Sequence, residues 1–260
     1  MKKFTLVLGG GGARGFAHIG VIKVLEKNGL YPSHIVGTSM GALVGAYYAL
    51  YKDVRKMEQM AMDFKFSSIA KVSLIFPFQN HYLKSSTLTE LLNSLWGNDT
   101  NIENLQIPFA PVSVDLKKNK AIYLEKGNLT MGVQASISIP VLWKPIEYKN
   151  MILVDGGVLD NVPSLIARQM GLDNIIAVDV VSDYGINKPS RNKLLFFYQV
   201  YEAQLSGMSQ EKYKYADLVI KPKVSDFKPF GFNKEDTKRM IELGEKCAES
   251  NMDLIKNLLK

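Results

Sequence analysis

The sequence predicts an α/β fold built on parallel strands, and three observations carry that prediction. Two strand-loop-helix units follow one another between Leu6 and Ala46, each with glycines where strand passes into helix. The stretch linking their strands, Phe16 to Asn28, has helical spacing and suits the right-handed crossover that neighbouring parallel strands require. No long polar linker or internal repeat divides the 260 residues, 47% of them hydrophobic, so residues 1–260 can bury one substantial core as a single domain.

The elements follow in order. Phe4-Thr5-Leu6-Val7-Leu8 is an apolar run too short for a signal-peptide core, so it reads as the first buried strand. It leads into Gly9-Gly10-Gly11-Gly12-Ala13-Arg14-Gly15, a loop so poor in side chains that its backbone can approach a ligand closely. In the helix that follows, Phe16, Ile19, Ile22, Val24 and Leu25 recur on one face, and Gly29 sits where a C-terminal cap belongs. His34-Ile35-Val36 is the second strand. Parallel to the first, it places both glycine-bearing loops at one sheet edge, where ligands bind in such folds.

That second loop is Gly37-Thr38-Ser39-Met40-Gly41, a G-x-S-x-G sequence between a strand and the helical run Ala42 to Leu50. This is the context of a nucleophile elbow, in which Gly37 and Gly41 leave room for a strained turn presenting Ser39. The first amides of the next helix, together with those of Gly10 to Gly15, could hold an oxyanion beside it, with Arg14 steadying the loop or adding positive potential. A dinucleotide site would need an acidic residue at the end of the second strand, where Val36-Gly37-Thr38-Ser39 stands, and a phosphate loop would need Gly-Lys-Ser/Thr.

Val54 to Phe64 reads as a helix with Met57, Met60, Met62 and Phe64 on its apolar face, but over residues 51–95 the pattern loosens. Phe66, Ile69, Val72, Leu74, Ile75, Phe76, Phe78 and Tyr82 make that segment unusually apolar. Two readings stand side by side: a cap or entry rim for an acyl chain, and core residues beneath a long loop. Ile107 to Val114 and Ala121 to Leu124 are two strands joined by a turn carrying Lys117, Lys118 and Lys120, and Leu129 to Ser136 is a short helix. Met151 to Val154 is a strand ending in Asp155-Gly156-Gly157. Ile175 to Val181 and Ala216 to Ile220 are further strands, and Lys193 to Lys214 a long helix. Lys234 to Leu259 forms two helical segments with Ile241, Cys247, Leu254 and Leu258 inward. Lys212, Lys214, Lys221 and Lys223 read as a solvated surface that is also a candidate for membrane contact.

Composition narrows the function. The single Cys247 excludes disulfides within the chain and suits a reducing, cytoplasmic compartment. No apolar run is long enough to span a bilayer, so membrane contact would be peripheral. The formal charge of +7 fits nucleic acid or an anionic lipid surface, and charge alone does not decide between them. The sequence has no zinc-ligand set, RNA-binding aromatic signature or suitable basic helix, which speaks against nucleic acid.

Histidine decides what kind of serine site this could be. A Ser-His-Asp hydrolase on such a sheet runs in the order Ser, acid, His, yet the chain has only His18, His34 and His81. His18 follows the glycine loop and reads as structural, while His34 opens its strand at the far end. A carboxylate acting directly on Ser39 is the economical alternative; Asp155 has the best context, with Asp115 and Asp179 as competitors.

Gly10-Gly11-Gly12-Ala13-Arg14-Gly15, Gly37-Thr38-Ser39-Met40-Gly41 and Asp155-Gly156-Gly157, in this order, resemble the three motifs of the patatin-like phospholipase family. Gly12 to Val21, Ala135 to Pro140 and Asp160-Asn161-Val162-Pro163 resemble it too, so that the likeness covers about residues 5–181, leaving a helical part at about 190–260. The resemblance implies a three-layer α/β/α fold and a mostly parallel sheet. It also implies a Ser39–Asp155 dyad, an oxyanion hole in the glycine loop, and hydrolysis of lipid acyl esters without a metal or other cofactor. It leaves open a thioesterase or acyltransferase acting on a small acyl donor, and a non-catalytic lipid-binding module.

Overall fold

The computed structural model describes residues 2–63, 85–182, 185 and 188–260, apart from the side chain of Leu194. A central sheet carries helices on both faces. Its strands are β1 (Thr5–Leu8), β2 (His34–Thr38), β3 (Phe109–Asp115), β4 (Lys120–Tyr123), β5 (Ile146–Tyr148), β6 (Met151–Asp155), β7 (Ile175–Val178) and β8 (Leu218–Ile220). The spatial order is β5-β6-β3-β2-β1-β7-β8, with β4 paired to β3 off that path. From β3 through β2, β1 and β7 to β8 every neighbouring pair is parallel, whereas β4, β5 and β6 join antiparallel beyond β3. The expected three-layer, mostly parallel architecture is therefore present.

Alternation along the strands divides the core in two. Leu6 and Leu8 enter the larger cluster, with α1 (Ala17–Lys27) and α2 (Met40–Tyr51). Val7 points the other way, into a smaller cluster with Val36, Val112, Val162 and Ile166. Two faces of one buried strand thus serve two layers, as parallel sheets covered on both sides demand.

The helices differ from the sequence pattern in instructive places. Gly12–Phe16 is a turn of 3-10 helix, and the α-helix begins only at Ala17. The helix after β2 starts at Met40, directly after Ser39. Helix α3 (Val54–Asp63) buries Met57 and Met60 as expected but Ala61 in place of Met62, which lies on another side of the helix, and Phe64 and the apolar segment from Phe66 to Tyr82, with His81, lie outside the described residues. Helix α4 (Ser85–Trp96) occupies sequence whose Ser, Thr and Asn content hides its periodicity. Its buried Leu88, Leu92 and Trp96 are four apart, and the Trp96 indole donates to Thr130 Oγ1 at 2.9 Å. Helix α5 (Leu129–Ile137) is capped by Asn128, whose side chain accepts from the Met131 amide at 3.0 Å. The short α6 (Ser164–Gln169) and strand β5 carry no strong sequence signal. β7 ends at Val178, three residues before the expected limit.

Helix α7 (Lys193–Lys212), helix α8 (Lys234–Ser250) and helix α9 (Met252–Leu258) complete the chain. Leu254, expected inside, is 56% exposed; Ile255 and Leu259 take the inner positions, because α9 begins a new turn at Met252 rather than continuing the face of α8. Among the described residues no helix is long and apolar enough to cross a membrane.

Candidate active site

Ser39 stands between β2 and α2 with φ 54° and ψ −122°, a conformation that a residue bearing a side chain adopts only when its surroundings enforce it. Gly37 and Gly41 provide the enforcement. A Cβ on Gly37 would lie 2.6 Å from the Gly41 carbonyl, and one on Gly41 would run into the carbonyl of Leu8, so α2 packs on β1 backbone to backbone. The Ser39 amide donates to Ser136 Oγ at 2.9 Å, and Ser136 Oγ donates to the Val112 carbonyl at 2.6 Å. The Ala135–Pro140 stretch thus fastens the turn from the far side.

Asp155 reaches the same place by a different route. It ends β6, where it pairs with Ser113 of β3, while Thr38 of β2 pairs with Val112 of the same strand. One strand therefore separates the two chain ends, with Ser39 and Asp155 meeting over β3. The Asp155 amide donates to the Ser138 carbonyl at 3.0 Å, and Oδ1 accepts from the Gly157 amide at 2.7 Å. Oδ2 is buried and accepts no completed hydrogen bond. Burial pushes the carboxyl up to about 7, while the nearby Ser39 hydroxyl and the Gly157 amide pull the other way. Gly156 has to be glycine, because a Cβ there would strike the Val112 carbonyl.

The glycine loop lies against the elbow. A Cβ on Gly10 would stand 3.0 Å from the Ser39 Cβ. Its amides are not equivalent. Gly10 donates to the Asn161 carbonyl at 3.1 Å and Ala13 to the Pro229 carbonyl at 2.7 Å, so these two shape the loop and are not offered to a ligand. Asn161 closes the clamp through its side-chain amide, which donates back to the Gly10 carbonyl at 3.3 Å, and Thr38 Oγ1 donates to the Asp160 carbonyl at 2.9 Å. The Asp160-Asn161-Val162-Pro163 stretch therefore ties loop and elbow together. Arg14 does not project into the site as a free charge. Its guanidinium is buried, ion-paired with Glu202 of α7, and its Nε donates to the Phe227 carbonyl at 2.7 Å. Gly15 packs against Met40, where a Cβ would crowd the side chain.

The alternatives from the sequence fall to other tasks. His18 Nε2 donates to the Gly9 carbonyl at 2.8 Å. Full burial lowers its pKa to about 4, so it is neutral and committed. His34 stands at the start of β2, opposite Thr5 and away from Ser39. Asp115 Oδ1 accepts from the Lys117 amide at 3.1 Å in the β3–β4 turn, and Asp179 accepts from the Val181 amide at 2.8 Å and from the Tyr213 hydroxyl at 2.6 Å. Among the described residues no group of His, Cys, Asp or Glu could hold a metal.

Two residues of α7 join the site with no signal in local sequence. Glu202 holds Arg14, and Tyr201 brings a buried hydroxyl without a hydrogen-bond partner close to Gly157: a Cβ on Gly157 would be 2.9 Å from Tyr201 Oη and 3.0 Å from Asp155 Oδ1. Burial, then the Asp155 charge, hold the Tyr201 hydroxyl well above its ordinary pKa, so it stays protonated. A glutamate and a tyrosine in an apolar helix reveal their partners only once the helix is placed.

The patatin-like phospholipase family matches residues 6–168. Human patatin-like phospholipase domain-containing protein 6 is 34% identical over 186 residues, which make up 68% of this chain and 13% of that protein. Lysophospholipase nte1 of Aspergillus fumigatus is 36% identical over 205 residues, 78% of this chain and 13% of the relative. The chain thus spans a small part of the length of these relatives. Among solved structures, VipD from Legionella pneumophila superposes with a TM-score of 0.66 at 14% identity, over 97% of this chain and 67% of that one. Human GIVD cytosolic phospholipase A2 in complex with methyl gamma-linolenyl fluorophosphonate gives a TM-score of 0.55 at 13% identity, over 99% and 58%. A sheet of this order, a serine elbow beside a glycine loop, and a match through all three motifs have one conclusion: the chain belongs to the patatin-like phospholipase family.

Proposed function

We propose that the protein hydrolyses the acyl ester of a phospholipid or lysophospholipid, with Ser39 as nucleophile and Asp155 as its base. The observation that carries this reading is the Asp155 carboxyl: buried, with an unpartnered Oδ2, beside the hydroxyl of a serine held in a strained turn. A carboxylate with a pKa near 7 is poised both to take a proton and to return it. Ser39 Oγ attacks the ester carbonyl carbon while its proton passes to Asp155 Oδ2. The carbonyl oxygen becomes an oxyanion facing the glycine loop, where the Gly11 and Gly12 amides are the donors that the loop's own bonds leave over. The carbon–oxygen bond to the alcohol then breaks, and the leaving oxygen takes the proton from Asp155. Water attacks the acyl-enzyme, Asp155 accepts its proton and returns it to Ser39, and the fatty acid departs. The relatives named lysophospholipase favour lysophospholipid as the first substrate to try.

The test is turnover of p-nitrophenyl esters and of lysophosphatidylcholine by wild type, Ser39→Ala and Asp155→Asn, each checked for folding by circular dichroism. Both variants should lose roughly a thousandfold or more in kcat/KM. Covalent labelling of wild type by a fluorophosphonate should disappear in Ser39→Ala. An Asp155→Asn variant that keeps most of its turnover would remove the assigned base.

A further inference from the structure

Helix α7 is unlike an ordinary surface helix. From Leu194 to Gln210 its sequence contains a single charged residue, Glu202, and that residue is buried against Arg14. Tyr198, Tyr201, Leu205 and Ser209 face inward. The opposite face carries Phe196, Phe197 and Val200, which are 44%, 43% and 54% exposed, with Leu195 exposed beside them. An outward face with no charge for several turns is what a helix shows when something apolar covers it.

The charges around that face indicate the cover. From Gly185 to Tyr201 the sequence holds three cations, Lys188, Arg191 and Lys193, and no acid, and all three are exposed at the end of α7 where the phenylalanines stand. A second copy of the chain would bring the same three cations against these. An anionic bilayer offers hydrocarbon to the aromatic side chains and phosphates to the bases, which is the combination that seats a helix in the interface plane.

We propose that the outer face of α7, with Phe196, Phe197 and Val200 as its apolar anchors and Lys188, Arg191 and Lys193 as its basic rim, docks the protein on anionic lipid membranes. This deepens the proposed function and rests on it only for the substrate. The same helix carries Tyr201 and Glu202 on its inner side, so the element that meets the bilayer is also a wall of the serine site.

Co-sedimentation with vesicles tests the surface apart from the chemistry. Wild type should pellet with vesicles of equal parts phosphatidylcholine and phosphatidylglycerol and stay in solution with phosphatidylcholine alone. The triple variant Phe196→Asp, Phe197→Asp, Val200→Asp should partition about tenfold less or worse, and so should Arg191→Glu, Lys193→Glu at low salt. Both should turn over a short soluble ester as wild type does. Wild type that ignores anionic vesicles, or a triple variant that pellets like wild type, would overturn the proposal. A wild-type dimer by light scattering that the triple variant renders monomeric would assign the face to a second copy and overturn it too. A wild type that docks as expected but hydrolyses no ester would sustain the docking surface and sink the proposed hydrolysis alone.

Discussion

Helices α1 and α7 both carry apolar residues around most of their circumference and both flank the glycine loop, yet among the described residues only α1 is covered. Helix α8 lies across α1 so closely that two glycines mediate the contact: a Cβ on Gly20 would run into the Ile241 carbonyl, and one on Gly244 into that of Ala17. Lys23 of α1 adds ion pairs to Glu58 of α3 and Glu245 of α8, both at 2.9 Å. Helix α7 makes its inward contacts and leaves Phe196, Phe197 and Val200 outside. Whether an apolar helix is covered depends on what the rest of the chain packs against it. For α1 the chain provides the cover and the reward is stability; for α7 the exposed face contributes little to folding, and we propose a membrane as its cover.

The contact of α1 with α8 is the tightest of these. Gly244→Val or Gly20→Val should cost about 3 kcal/mol or more, because backbone on the other side cannot move aside. Thermal unfolding would register it as a fall in Tm of roughly 10 °C. Next comes the one charge α7 buries. Glu202→Gln takes away a charge partner of the buried Arg14 and should cost about 3 kcal/mol by denaturant unfolding. A double Arg14→Met, Glu202→Met variant should regain most of that.

Asp155 yields a smaller effect with a definite sign. Its folded pKa, about 7, lies above the ordinary aspartate value of 3.8, so the stability it confers is complete below pH 3.8 and is lost as the pH rises through 7. Asp155→Asn should therefore be more stable than wild type at pH 8 while inactive. In wild type kcat/KM on a soluble ester should rise with pH through about 7, as Asp155, the proposed base, loses its proton. At the bottom of the scale, Val200→Asp on the open face of α7 should change stability by no more than about 0.5 kcal/mol, as equilibrium unfolding would show.

Much of the candidate site was legible in the sequence because it is local. Gly37, Ser39 and Gly41 lie within five residues, and a strand, a strained turn and a helix start all leave marks at that range. Scarcity of histidine was equally readable, and His18 proved tied to the Gly9 carbonyl. The hidden elements are those whose local signal is weak: α4, rich in Ser, Thr and Asn, takes its shape from Leu88, Leu92 and Trp96 packing inward. Leu254 misled because spacing carried on from α8 ignores the break at Asn251.

The strand and helix units around Ser39, the sheet edge at which the loops gather, and the candidate pair of Ser39 and Asp155 can all be read from the residues in order. Three-dimensional packing is needed to see that β3 runs between the ends of β2 and β6, that the Gly10 and Ala13 amides are already taken, that Glu202 pairs with Arg14, and that the described residues leave one face of α7 uncovered. Range along the chain separates the two. Backbone strain and hydrophobic periodicity are written in neighbouring residues, whereas a hydrogen-bond acceptor, an ion-pair partner or a cover for an apolar face comes from chain a hundred or more residues away, as Glu202 does for Arg14.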